Sequence, residues 1–185
     1  MEKVKIKDKQ FVKNIPSGNI QQSIQQVADK INVEMAGKNP VFVVVLNGAF
    51  MFASDLLKKI DIECEITFVK VASYEGTSST GEVKELIGLN QDINNREVII
   101  VEDIVDTGET IVALIDQIKH QDPADVRIAT LLFKPDAYRK DIPIDYVAME
   151  VGNDFLVGYG LDYDGLGRNL EDIYIVEETK ENALV

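Results

Sequence analysis

The sequence predicts an α/β domain: a mainly parallel central sheet flanked by helices. Three observations carry this expectation. Val41–Leu46 and Val98–Val101 are continuous apolar runs of β-forming residues, and Val126–Phe133 is a third strand of the buried type. Strands that are apolar on both faces belong in the interior of a parallel sheet. Segments with helical spacing of apolar residues alternate with these runs, the order expected when crossover helices join parallel strands. The chain has 185 residues, which suits one domain with one core, and no repeat, low-complexity segment or Pro/Gly/Ser-rich linker divides it.

Each element has its own signal. From about Ser17 to Met35 the apolar residues Ile20, Ile24, Val27, Ala28 and Ile31 share one helical face. After Val41–Leu46 the chain is expected to turn at Asn47-Gly48 and enter a helix carrying Phe52, Leu56, Leu57 and Ile60. A strand fits Cys64–Val71. The loop that follows, Ser73 to Gly81, has too few apolar residues to pack and is expected to be mobile. Val98–Val101 is expected to run into an acidic turn and then a helix carrying Ile111, Leu114, Ile115 and Ile118. Shorter strands fit Tyr146–Met149, Phe155–Val157 and Tyr174–Val176.

Composition removes several function classes. Hydrophobic residues make up 45% and charged residues 28%, an ordinary globular balance. Thirty-two acidic residues against nineteen basic ones leave a net charge of −13. Such a field repels phosphate backbones and anionic lipid, so neither a nucleic acid nor a membrane surface is an expected partner. The single cysteine, Cys64, can form neither an internal disulfide nor a cysteine zinc site, and it reads as a strand residue in a reducing compartment. The single histidine, His120, suits the end of a helix, where a cation complements the dipole. The N-terminus lacks the apolar core of a signal peptide, and no run is long enough to span a membrane. The expectation is a soluble, cytoplasmic protein.

In an open parallel sheet, ligands bind beyond the carboxyl ends of the strands. Three segments should meet there: Asn47-Gly48 after Leu46, the stretch Glu102–Thr110 after Val101, and Lys134 after Phe133. Thr107-Gly108-Glu109-Thr110 joins a strand to a helix N-terminus, with backbone N–H groups, two hydroxyls and a glycine. That suits a monophosphate, although Thr107 as a plain helix cap explains the same residues. The pair Glu102-Asp103 favours the first reading. Two adjacent acids after a buried strand are costly unless a cation or hydroxyls meet them, and ribose hydroxyls and Mg²⁺ both qualify. No Gly-x-x-x-x-Gly-Lys loop occurs.

The segment Val98-Ile99-Ile100-Val101-Glu102-Asp103-Ile104-Val105-Asp106-Thr107-Gly108-Glu109-Thr110 resembles the phosphoribosyl-diphosphate (PRPP) signature of type I phosphoribosyltransferases. Leu46-Asn47-Gly48-Ala49 falls where that family's diphosphate loop should be, and Ser73-Tyr74 opens a loop similar to its lid. Lys134, Val157-Gly158-Tyr159-Gly160-Leu161-Asp162-Tyr163 and Arg168 resemble the purine-binding end of the hypoxanthine (hypoxanthine-guanine) branch. The resemblance spans roughly Val41 to Val176.

It implies a single domain over 1–185, with a core over about 36–150 and a small hood from about 1–20 and 151–185. It implies transfer of the phosphoribosyl group from PRPP to N9 of hypoxanthine, and of guanine, in purine salvage. Glu102 and Asp103 would hold the ribose hydroxyls, and Asp106 would act on the proton at purine N7. Thr107, Gly108 and Thr110, with Asp106 beside them, would receive the ribose 5′-phosphate end. Asn47, Gly48, Arg168, Ser73 and Tyr74 would meet the diphosphate. Lys134 would contact O6, Phe155 would stack on the base, and Leu156 and Asp162 would line its edge. Mg²⁺ would be the cofactor, near Glu102, Asp103 and Asp162, and the protein would be a homo-oligomer, dimer or tetramer.

Lys134 also has a direct chemical argument: an ammonium only donates, so it suits a 6-oxo group and disfavours adenine's 6-amino group. Glu109, beside the expected phosphate, should point outward. Relatives often carry Lys-Gly or Arg-Gly where this chain has Asn47-Gly48, which shifts the load to backbone amides, Arg168 and Mg²⁺. The resemblance further suggests a cis Leu46–Asn47 bond. Alternatives are a xanthine-preferring enzyme, a regulator of the same fold that binds PRPP and RNA, and, more remotely, a Mg²⁺-dependent phospho-acceptor domain using Asp103 or Asp106.

Overall fold

Val41, Phe42, Val43 and Val44 are fully buried and lie at the centre of the molecule. A computed structural model of the chain describes residues 2–72 and 84–177. The first half runs β1 (Lys3–Ile6), β2 (Lys9–Ile15), α1 (Ser17–Glu34), β3 (Val41–Leu46), α2 (Phe50–Leu57), β4 (Glu65–Ala72) and β5 (Lys84–Ile87). The second runs β6 (Glu97–Val105), α3 (Glu109–Lys119), β7 (Asp125–Phe133), β8 (Tyr146–Glu150), β9 (Leu156–Val157) and β10 (Ile173–Val176).

Six of these strands form one sheet in the order β5-β4-β3-β6-β7-β8. Five run parallel, and β5 lies antiparallel beside β4 at one edge. Alternate residues of β3 and β6 serve opposite faces. Phe42, Val44, Ile99 and Val101 pack with Ile20, Ile24 and Ile31 of α1 and with Phe52 and Leu56 of α2. Val41, Val43, Val98 and Ile100 pack with Ile111, Leu114, Ile115 and Ile118 of α3. Helices on both faces leave these strands no polar side, which is why they read as unbroken apolar runs. Truncating Ile99 to alanine should therefore cost about 2–5 kcal/mol.

A second, antiparallel sheet has the order β1-β2-β10-β9 and joins the two ends of the chain. Ile6, Phe11, Val157 and Tyr174 form its core. Its N-terminal hairpin is not among the sequence-based expectations, although Val4 and Ile6 alternate with lysines in the manner of a strand. The turn uses Lys7 in the left-handed region (φ 52) rather than the glycine or asparagine that marks such turns in sequence.

Other boundaries differ modestly. The second helix ends at Leu57, so Ile60 lies beyond it, yet Ile60 still packs against the core. The antiparallel β5 has no counterpart in the sequence reading. The loop expected over Ser73 to Gly81 lies outside the described residues. Ile66 and Phe68 alternate with buried Val69 on β4 and are exposed on the α2 side, as is Phe50 at the start of α2. Because β3, β6 and β7 are parallel neighbours, their carboxyl ends share one edge. The candidate residues converge at that edge.

Candidate active site

Glu102 and Asp103 belong to β6 itself, not to a turn after it. The expectation of an acidic turn is corrected by the unequal lengths of the neighbouring strands. β3 pairs with β6 only from Val98 to Val101, whereas β7 continues opposite Glu102, Ile104 and Val105. The two acids are thus held by β7 on one side and lie past the register of β3 on the other.

The turn after β3 approaches them there. A Cβ on Gly48 would stand 1.7 Å from Asp103 Oδ2, so only glycine allows the carboxylate to lie against this turn. The Leu46–Asn47 bond is cis, and Asn47 is exposed. Glu102 is buried, and burial, then the charge of Asp103, pushes its carboxyl well above the usual range. Burial also pushes Asp103 up to about 6, opposed by the Ile104 N–H donating to Oδ1 at 3.0 Å and by the charge of Arg168. Asp162 adds to the upward push. A pair of acids that resists ionisation is a pair that a cation or hydroxyl donors would stabilise.

Asp106, at the end of the strand, is half exposed and accepts from Lys134 Nζ at 3.0 Å. Lys134 is buried and follows β7 directly, and its backbone N–H donates to Val105 O. The next turn leads into α3. Its N-cap is Gly108, in the left-handed region, with no side-chain cap hydrogen bond. Thr107 therefore does not cap α3, and the plain capping explanation of that residue falls. Tyr138 and Lys140 lie over Gly108. Glu109 points outward, as expected, and pairs with Lys140 at 2.6 Å.

The far wall comes from the segment after β9. A Cβ on Gly160 would meet the Gly48 carbonyl oxygen at 2.1 Å. Arg168 donates from Nη1 to Gly160 O at 2.6 Å, and its Nη2 pairs with Asp162 Oδ1 at 2.5 Å. Asn47-Gly48, Asp103, Asp162 and Arg168 thus form one contiguous group, and Asp106 with Lys134 a second, three residues further along the same chain. Phe155 is partly exposed and stands just before β9. Its ring neighbours are Phe11 at 6.3 Å and Tyr163 at 5.8 Å, with Lys9 Nζ 5.6 Å from its centroid. Leu156 lies in β9, the end strand of its sheet, where half the backbone groups face away from β10. Ser73 and Tyr74 lie outside the described residues.

His120 behaves as expected, as the C-cap of α3 with Nδ1 2.5 Å from Asp116 O. Cys64 does not fall in the strand expected over Cys64–Val71, because β4 begins at Glu65, and burial raises its thiol. Among the described residues no group of three or more His, Cys, Asp or Glu side chains is arranged to hold a metal by itself. A cleft of about 670 Å³ opens elsewhere, between α1 and the β8–β9 connection, and touches the candidate set only at Leu156. The contacts of Tyr159 and Gly160 were not anticipated. The two flanking glycines of Gly158-Tyr159-Gly160 were the available signal.

A parallel sheet with acids, a Thr-Gly turn and a glycine-lined loop at its carboxyl edge defines an α/β protein built to hold a phosphorylated sugar. Residues 12–164 match the model of the phosphoribosyl transferase domain, and the chain belongs to that family. The hypoxanthine-guanine phosphoribosyltransferase of Streptococcus thermophilus (strain CNRZ 1066) is 44% identical over 155 residues, covering 83% of this chain and 86% of that protein. Hypoxanthine phosphoribosyltransferase from Staphylococcus aureus superposes with a TM-score of 0.85 at 37% identity, over 90% of this chain and 91% of that one. The Trypanosoma cruzi hypoxanthine phosphoribosyl transferase superposes with a TM-score of 0.85 at 31% identity, over 94% and 95%. The shared architecture is the type I phosphoribosyltransferase fold.

Proposed function

We propose that this protein transfers the 5-phosphoribosyl group of PRPP to N9 of hypoxanthine, and of guanine, releasing diphosphate and forming IMP or GMP in purine salvage. The observation that carries this reading is the Asp106–Lys134 pair. It offers an acceptor and a donor 3.0 Å apart at the sheet edge, and a 6-oxopurine protonated at N7 presents the matching donor and acceptor side by side. Adenine presents a second donor to Lys134 and is disfavoured. The names of the relatives above agree with this base, and no observation favours the xanthine, RNA-binding or phospho-acceptor alternatives.

Under this reading Glu102 and Asp103 hold the ribose 2′- and 3′-hydroxyls. Amides and hydroxyls of Thr107, Gly108 and Thr110 receive the 5′-phosphate at the start of α3. Asn47 and Gly48 backbone groups, Arg168 and the Ser73-Tyr74 loop meet the diphosphate. Phe155 stacks on the base, with Leu156 and Asp162 along its edge. As the C1′–O bond breaks, positive charge grows on the sugar and negative charge on the leaving group. Arg168 meets the latter, and the acids of β6 tolerate the former. N9 bonds to C1′ while Asp106 takes the proton from N7.

The donor set fits Mg²⁺. Burial holds the carboxyls of Glu102 and Asp103 above their usual range, so a divalent cation would favour their ionised form. Mg²⁺ binds through one or two carboxylates plus phosphate oxygens rather than in an all-protein cage. Glu102, Asp103 and Asp162 would hold it, and when bound it neutralises charge on the diphosphate. The antiparallel sheet and the segment from 151 act as a hood over a core of about 36–150. Exposed Phe50, Ile66 and Phe68 support self-association as a dimer or tetramer. No helix among the described residues is long and apolar enough to cross a membrane; a cytoplasmic location is part of the same proposal.

The test is IMP formation from PRPP and hypoxanthine, with and without Mg²⁺. Turnover that requires Mg²⁺ is expected; no IMP under either condition would overturn the reading.

A further inference from the structure

Tyr159 is a bulky residue in the left-handed region, with φ 48, and is almost fully buried. Side chains seldom adopt this conformation, and something must hold it there. Its hydroxyl donates to Asp55 Oδ2 at 2.5 Å. Gln21 Nε2, from α1, donates to the same oxygen at 2.5 Å and to the Tyr159 hydroxyl at 3.0 Å. Asp55 Oδ1 pairs with Lys58 at 2.5 Å. Burial and the Asp55 carboxylate both raise the Tyr159 hydroxyl above its ordinary value, so it stays a donor throughout the working range.

The placement of these groups gives the cluster a task. Asp55 sits on α2, which begins two residues after Gly48, so a short rigid helix ties it to the turn that meets Asp103. The residue after Tyr159 is Gly160, whose Cα packs on the Gly48 carbonyl. The same two segments therefore touch twice, at Gly48 with Gly160 and at Asp55 with Tyr159, and two separated contacts fix orientation as well as distance. Gly160 in turn binds Arg168 at both ends: its N–H donates to Arg168 O at 2.9 Å, and its carbonyl accepts from Nη1 at 2.6 Å.

We infer that the Tyr159–Asp55 hydrogen bond is a positioning device for the diphosphate end of the site: it sets Gly160 against the Gly48 turn and thereby aims Arg168. The consequence for turnover rests on the reaction proposed above, whereas the mechanical part does not. Tyr159→Phe keeps the ring and removes the hydroxyl. Asp55→Ala removes the acceptor.

Two readouts separate this from a role in packing alone. In steady-state kinetics, Tyr159→Phe is expected to raise KM for PRPP by about 5- to 20-fold, leaving KM for hypoxanthine and kcat within about 3-fold. Asp55→Ala should match it, and the double variant should be no worse than either single one. Equal increases in both KM values, or an unchanged KM for PRPP, would overturn the inference. In amide hydrogen exchange, the Gly160 N–H of Tyr159→Phe should exchange at least about 10-fold faster while the Ile100 N–H in β6 keeps its protection. An unchanged Gly160 rate would overturn the inference whatever the enzyme turns over. If the unsubstituted protein forms no IMP, the proposed reaction fails and the exchange measurement still decides the positioning role.

Discussion

Lys134 Nζ lies 3.0 Å from Asp106 Oδ2, so the residue proposed to meet the base oxygen and the residue proposed to take its proton form one ion pair at the ends of two neighbouring strands. A buried ammonium needs such a partner. In the proposed reaction, each member exchanges part of that contact for one with the 6-oxopurine. Asp106→Asn keeps the shape and removes the proton acceptor. Its kcat should fall by about 10²- to 10⁴-fold while KM for PRPP stays within about 3-fold. A collapse of PRPP binding instead would make Asp106 a ligand of the sugar phosphate.

Base choice should follow Lys134. Lys134→Gln can donate to a 6-oxo group or accept from a 6-amino group, so it removes the asymmetry that excludes adenine. The ratio of kcat/KM for hypoxanthine over adenine is expected to fall by at least about 10-fold, the range set by one lost polar discrimination. Steady-state assays with each base alone give the ratio. An unchanged ratio would place the discrimination elsewhere.

Gly48→Ala tests the close approach of the two loops. The added methyl would occupy the space of the Asp103 carboxylate. Because the carboxylate is the end of a side chain, it can swing aside and the fold should survive with a loss of about 1–3 kcal/mol. In its proposed role Asp103 holds the ribose, and the displaced acid would no longer do so, so kcat/KM for PRPP should fall by about 100-fold or more. Thermal unfolding and initial rates on the same preparation separate the two effects.

Local pattern made the central sheet legible. Val41–Leu46 and Val98–Val101 announce themselves because both faces are covered, and Thr107-Gly108 marks the strand-to-helix turn. Relations set by tertiary contact were not legible. The length of β7 keeps Glu102 and Asp103 inside a strand, and nothing near those residues encodes it. The N-terminus of α1 follows Pro16, which offers no side-chain cap. Asp172, 155 positions away, accepts from the Ser17 N–H instead. The β1–β2 hairpin alternates apolar residues but lacks the glycine or asparagine that marks such a turn, and the edge strand β5 has only four residues.

That distant cap predicts a pH dependence. Asp172 Oδ2 pairs with Lys13 at 2.5 Å, and Oδ1 accepts from Ser17 N–H at 2.7 Å. The Lys13 ammonium, aided by the Ser17 N–H, holds this carboxyl below its usual 3.8. A depressed value in the fold stabilises above 3.8, and the contribution is lost as pH falls through the folded value. Asp172→Asn should therefore lower stability at pH 7 by about 0.5–1.5 kcal/mol. The gap between the two proteins should narrow as pH drops below 4. Urea unfolding at pH 7 and pH 3 checks both parts. A gap independent of pH would mean that charge is not the stabilising feature.

The central claim is that a donor-only Lys134 paired with Asp106 selects a 6-oxopurine as the acceptor of a phosphoribosyl group. The most direct measurement is a competition: the protein, PRPP and Mg²⁺ with equal hypoxanthine, guanine, xanthine and adenine, the nucleotides separated and quantified over time. The account predicts that IMP and GMP dominate and that AMP does not accumulate. AMP as the main product would contradict it.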